Sequence, residues 1–124
     1  MNLNQVTISS KDLEISVAFY KLLGLQLIVD ALPRYARFTC PDGEATFSIH
    51  QKINMQSSDN TTVYFEDDNL KDLVFKLKQK GITFTSDIED KSWLWTEAHL
   101  EDPDGNKIIL FNAGKNRKNP PWRI

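Results

Sequence analysis

A chain of 124 residues, 40% hydrophobic and 26% charged, suits one packed domain or two half-domains sharing a core. Its formal net charge is −2, and no basic run sits inside the patterned region, which argues against a nucleic-acid surface. The single cysteine, Cys40, excludes an intrachain disulfide and fits a reducing cytoplasm. The opening MNLNQVTISS has neither the basic nor the apolar part of a signal peptide, and no apolar run approaches a membrane span.

In chain order, Gln5 to Ser9 alternates and is rich in β-formers, which predicts a short strand. Asp12 can cap a helix that runs to about Leu23 and stops at Gly24, with Leu13, Val17 and Tyr20 on its apolar stripe. LQLIVD and YARFTC predict strands on either side of a turn at Pro33. The PDG at Pro41–Gly43 predicts a turn into the strand EATFSIH. Gln51 to Asn60 is polar and unpatterned and is expected to be a linker.

The second half repeats this plan. TTVYFE predicts a strand, and Asn69 to Lys80 a helix with Leu70, Leu73, Val74 and Leu77 on one face and Gly81 as its stop. ITFTSDI and WLWTEAHLE predict strands, and a second PDG, Pro103–Gly105, leads into KIILF. The spacings agree between halves. Leu13 to Gly24 and Leu70 to Gly81 are both eleven residues, and Gln5 and Thr62 each lie eight residues before the helix start. The pattern predicts an α+β fold of two βαβββ modules. The expected division is a domain over 1–112, with module one at 1–50, a linker at 51–60, module two at 61–112, and a C-terminal tail at 113–124.

Each helix needs an apolar sheet face, and alternation identifies it. Val6, Ile8, Phe47, Ile49, Val63, Phe65, Ala98, Leu100, Ile108 and Leu110 are assigned to the helix side. Gln5, Thr7, Ser9, Thr46, Ser48, His50, Thr62, Tyr64, Glu66, Trp93, Trp95, Glu97, His99, Lys107, Ile109 and Phe111 point the other way. This second set mixes aromatic, hydroxylic and titratable groups. That composition suits a cleft for an amphipathic molecule, or a face covered by a partner subunit.

The stretches QVTISSKDLEISVAFYKLLGL and DPDGNKIILF resemble the vicinal oxygen chelate superfamily, whose members include glyoxalase I, extradiol dioxygenases, and fosfomycin- and bleomycin-resistance proteins. The likeness spans Gln5 to Phe111. It implies that the two modules curl into a cup and that the protein forms a homodimer. In metal-dependent members, histidines from the first strand and carboxylates from the last strand of the modules can serve as ligands. Those positions fall here on Gln5, Thr62, Ile109 and Ser48 (Phe47 if the register slips by one). These are poor donors for a divalent ion, which wants three or four strong N, O or S ligands, so the expectation is no metal and no cofactor. The tail NAGKNRKNPPWRI is similar to a C-terminal extension found in some members. Pro120 and Pro121 suggest an extended path, and Trp122 is expected to dock on its own domain or on a neighbouring subunit.

Two chemistries follow. In the first, the cup is a metal-free binding site for a small aromatic or amphipathic molecule, as in the bleomycin-resistance branch. Trp93, Trp95, Tyr64, Phe111 and Tyr35 then form its walls, Arg37, Gln5, Ser48 and His50 its polar anchors, and Thr62 and Ile109 part of its lining. In the second, the protein is a glyoxalase-like lyase or a dioxygenase, with a displaced metal or with acid–base catalysis by His50, Glu97 and His99. A purely structural module that pairs through its sheet edges is a third reading. Neither a membrane nor a nucleic-acid partner is expected.

Overall fold

The structure is a computed structural model that describes residues 1–54 and 61–124. Most of the expected linker, residues 55–60, therefore lies outside the described residues. The chain separates into two compact units. The first takes Met1–Thr61 with Asp102–Gly105, and the second takes Thr62–Glu101 with Asn106–Ile124.

In the first unit, β1 (Gln5–Ser10) is followed by α1 (Leu13–Leu23), β2 (Gln26–Ala31), β3 (Tyr35–Thr39) and β4 (Thr46–Gln51). The α1 boundaries are set by chemistry legible in the sequence. The Asp12 carboxylate accepts the backbone N–H groups of Glu14 and Ile15, two donors that the first helical turn leaves without a partner. Gly24 ends the helix at φ 113°, a left-handed conformation that only glycine adopts cheaply. The stripe of Leu13, Val17, Tyr20 and Leu23 is buried. The Tyr20 ring packs 4.7 Å from Phe47 and 6.0 Å from Phe38. The sheet runs in the order β1-β4-β3-β2. β1 lies parallel to β4, with Gln5 opposite Thr46, and the remaining pairs are antiparallel.

The second unit repeats the topology. It contains β5 (Thr62–Glu66), α2 (Leu70–Gln79), β6 (Glu89–Asp90), β7 (Thr96–Glu101) and β8 (Lys107–Asn112), in the sheet order β5-β8-β7-β6. Leu70, Val74 and Leu77 are the buried face of α2. Ala98, Leu100, Ile108 and Leu110 are at most 1% exposed. Burying such aliphatic side chains stabilises by about 1.5–3 kcal/mol each.

Three expectations change. Residues 82–88 do not form a strand; only Phe84 bridges to Leu100. The reason is local, because the Ser86 hydroxyl accepts the His99 N–H and so takes the place of a ladder carbonyl. Trp93 and Leu94 precede the strand rather than joining it. They lie in a hairpin turn where Lys91 N–H donates to the Trp95 carbonyl and Leu94 N–H to the Lys91 carbonyl, with Leu94 at φ 67°. An aromatic and apolar run read as strand hides a turn that contains neither glycine nor asparagine. The tail is also not extended. Gly114–Arg117 forms a 3-10 helix, and Arg123 N–H closes a turn onto the Pro120 carbonyl. Pro121 suits that turn through its fixed φ. Trp122 is 57% exposed and is not docked on its own domain.

Candidate functional site

On the first sheet, parallel pairing places Thr7 beside Ser48 and Ser9 beside His50, and β3 adds Arg37 opposite Ser48 and Tyr35 opposite His50. The alternation read from the sequence thus brings the proposed polar anchors onto one helix-free face. The Ser48 hydroxyl, fully buried, lies 2.6 Å from the Thr7 hydroxyl. His50 Nε2 lies 3.0 Å from the Ser9 hydroxyl. Gln5 accepts the Thr46 hydroxyl through its side-chain oxygen at 2.9 Å. Arg37 Nε donates to the Tyr35 hydroxyl at 2.8 Å, and the guanidinium lies 5.5 Å from the ring centre. Hydrogen bonding from Ser48, with a further contribution from Arg37, lowers the Tyr35 phenol below its ordinary value.

On the second sheet, β8 carries Ile109 opposite Tyr64 and His99, and Phe111 opposite Glu66 and Glu97. Trp95 stacks on Phe111 with ring centres 4.6 Å apart and planes 16° apart. Tyr64 meets both rings edge-on. Ile109 and Phe111 are 7% and 4% exposed and pack with Ala113 and Trp95. Two of the expected lining residues are therefore covered, while Tyr64 and Trp93 remain about half exposed. Thr62 is exposed at the start of β5, opposite Lys107.

Glu97 is buried on this face, and both of its oxygens are engaged. Oε2 accepts the Trp93 indole N–H at 2.6 Å, and Oε1 lies 2.8 Å from His99 Nε2. An ionised carboxylate offers only acceptors, so this contact puts the His99 proton on Nε2 and leaves Nδ1 as the basic nitrogen. Lys91 lies 2.7 Å from Glu89 and 6.0 Å from the Trp93 ring. The hydrogen bond between Lys91 and Glu89 lowers the Glu89 carboxyl and raises the Lys91 amine. Cys40 is half-buried and its thiol is pushed up, first by burial and then by Asp42, which suits a filler and not a nucleophile.

Sequence reasoning passed over Glu66. Its Oε2 accepts the Ala113 and Gly114 N–H groups and its Oε1 accepts Arg117 Nε, while the Asn116 carbonyl accepts the Trp95 indole N–H. A charged residue at a strand end carries no sequence signal for such a role.

The four positions where metal ligands would fall do not suit a divalent cation. Gln5 offers one amide oxygen, already hydrogen-bonded; Ser48 and Thr62 offer hydroxyls; Ile109 offers hydrocarbon. Among the described residues, no three of His, Cys, Asp and Glu come together as a metal-binding group. Glu97 and His99 meet, whereas His50 is bonded to Ser9.

Comparison with known proteins agrees with this architecture. Three solved structures illustrate it. A bleomycin-binding protein complexed with bleomycin is 21% identical, with a TM-score of 0.75 over 90% of this chain and 98% of that one. A glyoxalase/bleomycin resistance protein/dioxygenase from Nocardioides is 19% identical, with a TM-score of 0.77 over 100% and 89%. A lactoylglutathione lyase from Agrobacterium tumefaciens is 14% identical, with a TM-score of 0.71 over 90% and 92%. At these identities the likeness establishes the fold and leaves the chemistry open. No curated protein matches the chain. The model of the Glyoxalase/Bleomycin resistance protein/Dioxygenase superfamily matches residues 2–110. The chain, two βαβββ units with the same strand order, belongs to that superfamily.

Proposed function

We propose that this protein binds a small aromatic or amphipathic molecule on the helix-free face of its second sheet, without a metal. The observation that carries this reading is the second sheet's aromatic cluster. A stacked Trp95–Phe111 pair is bordered by half-exposed Tyr64, with half-exposed Trp93 anchored to buried Glu97. Held rings give contact area at little entropic cost, and the polar groups around them orient a ligand. A solved structure of this fold that holds bleomycin supports small-molecule capture as a use of the scaffold. Titration with bleomycin and with planar aromatic compounds should give saturable quenching of tryptophan fluorescence that is lost in Trp93→Leu. A screen without saturable quenching sinks the proposal.

A second reading rests on the Glu97–His99 contact. A buried carboxylate that orients an imidazole and leaves Nδ1 basic is an acid–base arrangement. It predicts slow turnover of a hemithioacetal that disappears in His99→Ala. Turnover that survives this change removes His99 from the chemistry. We also propose a homodimer, as the expectation for this fold; light scattering at micromolar concentration tests it, and a monomer overturns it.

A further inference from the structure

We propose that the helix-free face of the first sheet is an anion-binding site, in which Arg37 receives a carboxylate- or phosphate-type oxygen group. The inference goes beyond the binding reading above and concerns the first sheet alone, whose ligand carries an anionic group.

Three observations point this way. First, Arg37 is half-buried on β3, where its Nε donates to the Tyr35 hydroxyl at 2.8 Å and its guanidinium lies 5.5 Å from the same ring centre. No ion pair among the described residues involves Arg37. The Tyr35 contact uses one of the five guanidinium donors, and the two terminal nitrogens form the fork that matches a two-oxygen anion. Second, the residues that β1, β3 and β4 direct to this face are amide, hydroxyl, imidazole and guanidinium groups, without a carboxylate. That separation stands out in a chain with 17 Asp and Glu residues and a net charge of −2. Without a carboxylate on its own face, the guanidinium keeps its charge for a ligand. Third, the hydroxyls beside it are arranged in advance. Ser48, directly opposite Arg37, is fully buried and bonded to Thr7 at 2.6 Å, and Ser48 and Arg37 both act on Tyr35. The Tyr35 phenol is lowered first by the Ser48 hydrogen bond and then by Arg37. Ser48 thus holds Tyr35, and Tyr35 holds the guanidinium, before an anion arrives, which limits the entropy lost on binding.

The test compares benzoate with benzamide, its neutral counterpart of the same shape, by calorimetric titration of the full chain. Benzoate should bind the wild type at least about tenfold more tightly than benzamide, a difference of about 1.4 kcal/mol, and this preference should fall below about twofold in Arg37→Gln. Tyr35→Phe, which keeps the ring and removes the acceptor that holds Nε, should weaken benzoate roughly threefold to tenfold and so narrow its preference over benzamide. Inorganic phosphate should compete with benzoate, and raising the salt concentration should weaken benzoate selectively. Equal affinity for benzoate and benzamide overturns the anion site while leaving the binding reading intact. So does a benzoate preference that survives in a folded Arg37→Gln. If neither compound binds and the fluorescence screen is also blank, both readings fall. Should Arg37→Gln fail to fold, Tyr35→Phe and the salt dependence decide.

Discussion

Tyr20 donates its hydroxyl hydrogen to Asp102 Oδ2 over 2.6 Å, although 82 residues separate them in sequence. Asp102 also accepts the Asp104 N–H through Oδ1, and Asp104 in turn accepts the Ser16 hydroxyl and the Lys11 N–H. The second PDG turn is thereby bonded to both ends of α1 and belongs to the first compact unit. The two carboxylates satisfy Ser16 and Tyr20, the two polar groups that α1 buries.

This contact has a pH signature. Burial first, then the Asp102 carboxylate, pushes the Tyr20 phenol far above its ordinary 10.0. Unfolded, the phenol ionises at the ordinary value, so at alkaline pH the folded chain retains a proton that the unfolded chain loses. The contribution is whole below about pH 10 and declines as the pH rises beyond it. Tyr20→Phe should cost about 1–3 kcal/mol at pH 7 and flatten the alkaline fall. Urea denaturation at pH 8, 10 and 11 measures both, and an unchanged alkaline slope refutes the assignment.

Phe111 is the centre of the second unit's aromatic cluster, stacked on Trp95 and met edge-on by Tyr64. Phe111→Ala should destabilise by about 3–5 kcal/mol through lost burial and the cavity left behind. Tryptophan emission should shift as Trp95 loses its stacking partner. A loss below about 1 kcal/mol would mean that the cluster collapses to fill the space.

Glu66 holds the start of the tail through Ala113, Gly114 and Arg117. Glu66→Ala should cost about 1–2 kcal/mol and accelerate amide exchange at Ala113 and Gly114. Exchange rates equal to those of the wild type would show that the tail holds its place without the carboxylate.

Gln5, Ser48, Thr62 and Ile109 are a weak donor set. After incubation with nickel, zinc or manganese in chelator-free buffer and removal of excess ion, elemental analysis should find well below one equivalent per chain. One tightly held equivalent contradicts the metal-free proposal, and its loss in His99→Ala would redirect attention to Glu97 and His99.

Much of this was legible in the residues. The Asp12 cap, the Gly24 stop and the α1 stripe follow from local rules that act within a single turn. Alternation sorted Tyr64, Glu97, His99, Ile109 and Phe111 onto one face because strand side chains change sides at every residue. The strand reading failed at Trp93, where a turn with a left-handed Leu94 breaks the period without a glycine to mark it, although the indole still reaches Glu97.

The sequence by itself determined the two-unit plan, the direction of the side chains on β1, β4, β5, β7 and β8, and the poverty of donors at the metal positions, since all three depend on residue type and short-range spacing. Only the tertiary structure decided who meets whom. It covered Ile109 and Phe111 with Trp95, gave Glu97 to Trp93 and His99, assigned Glu66 to the tail, and left Arg37 beside Tyr35 on a face without a carboxylate. Those pairings depend on strand order and on contacts distant in sequence, and periodicity carries no information about either.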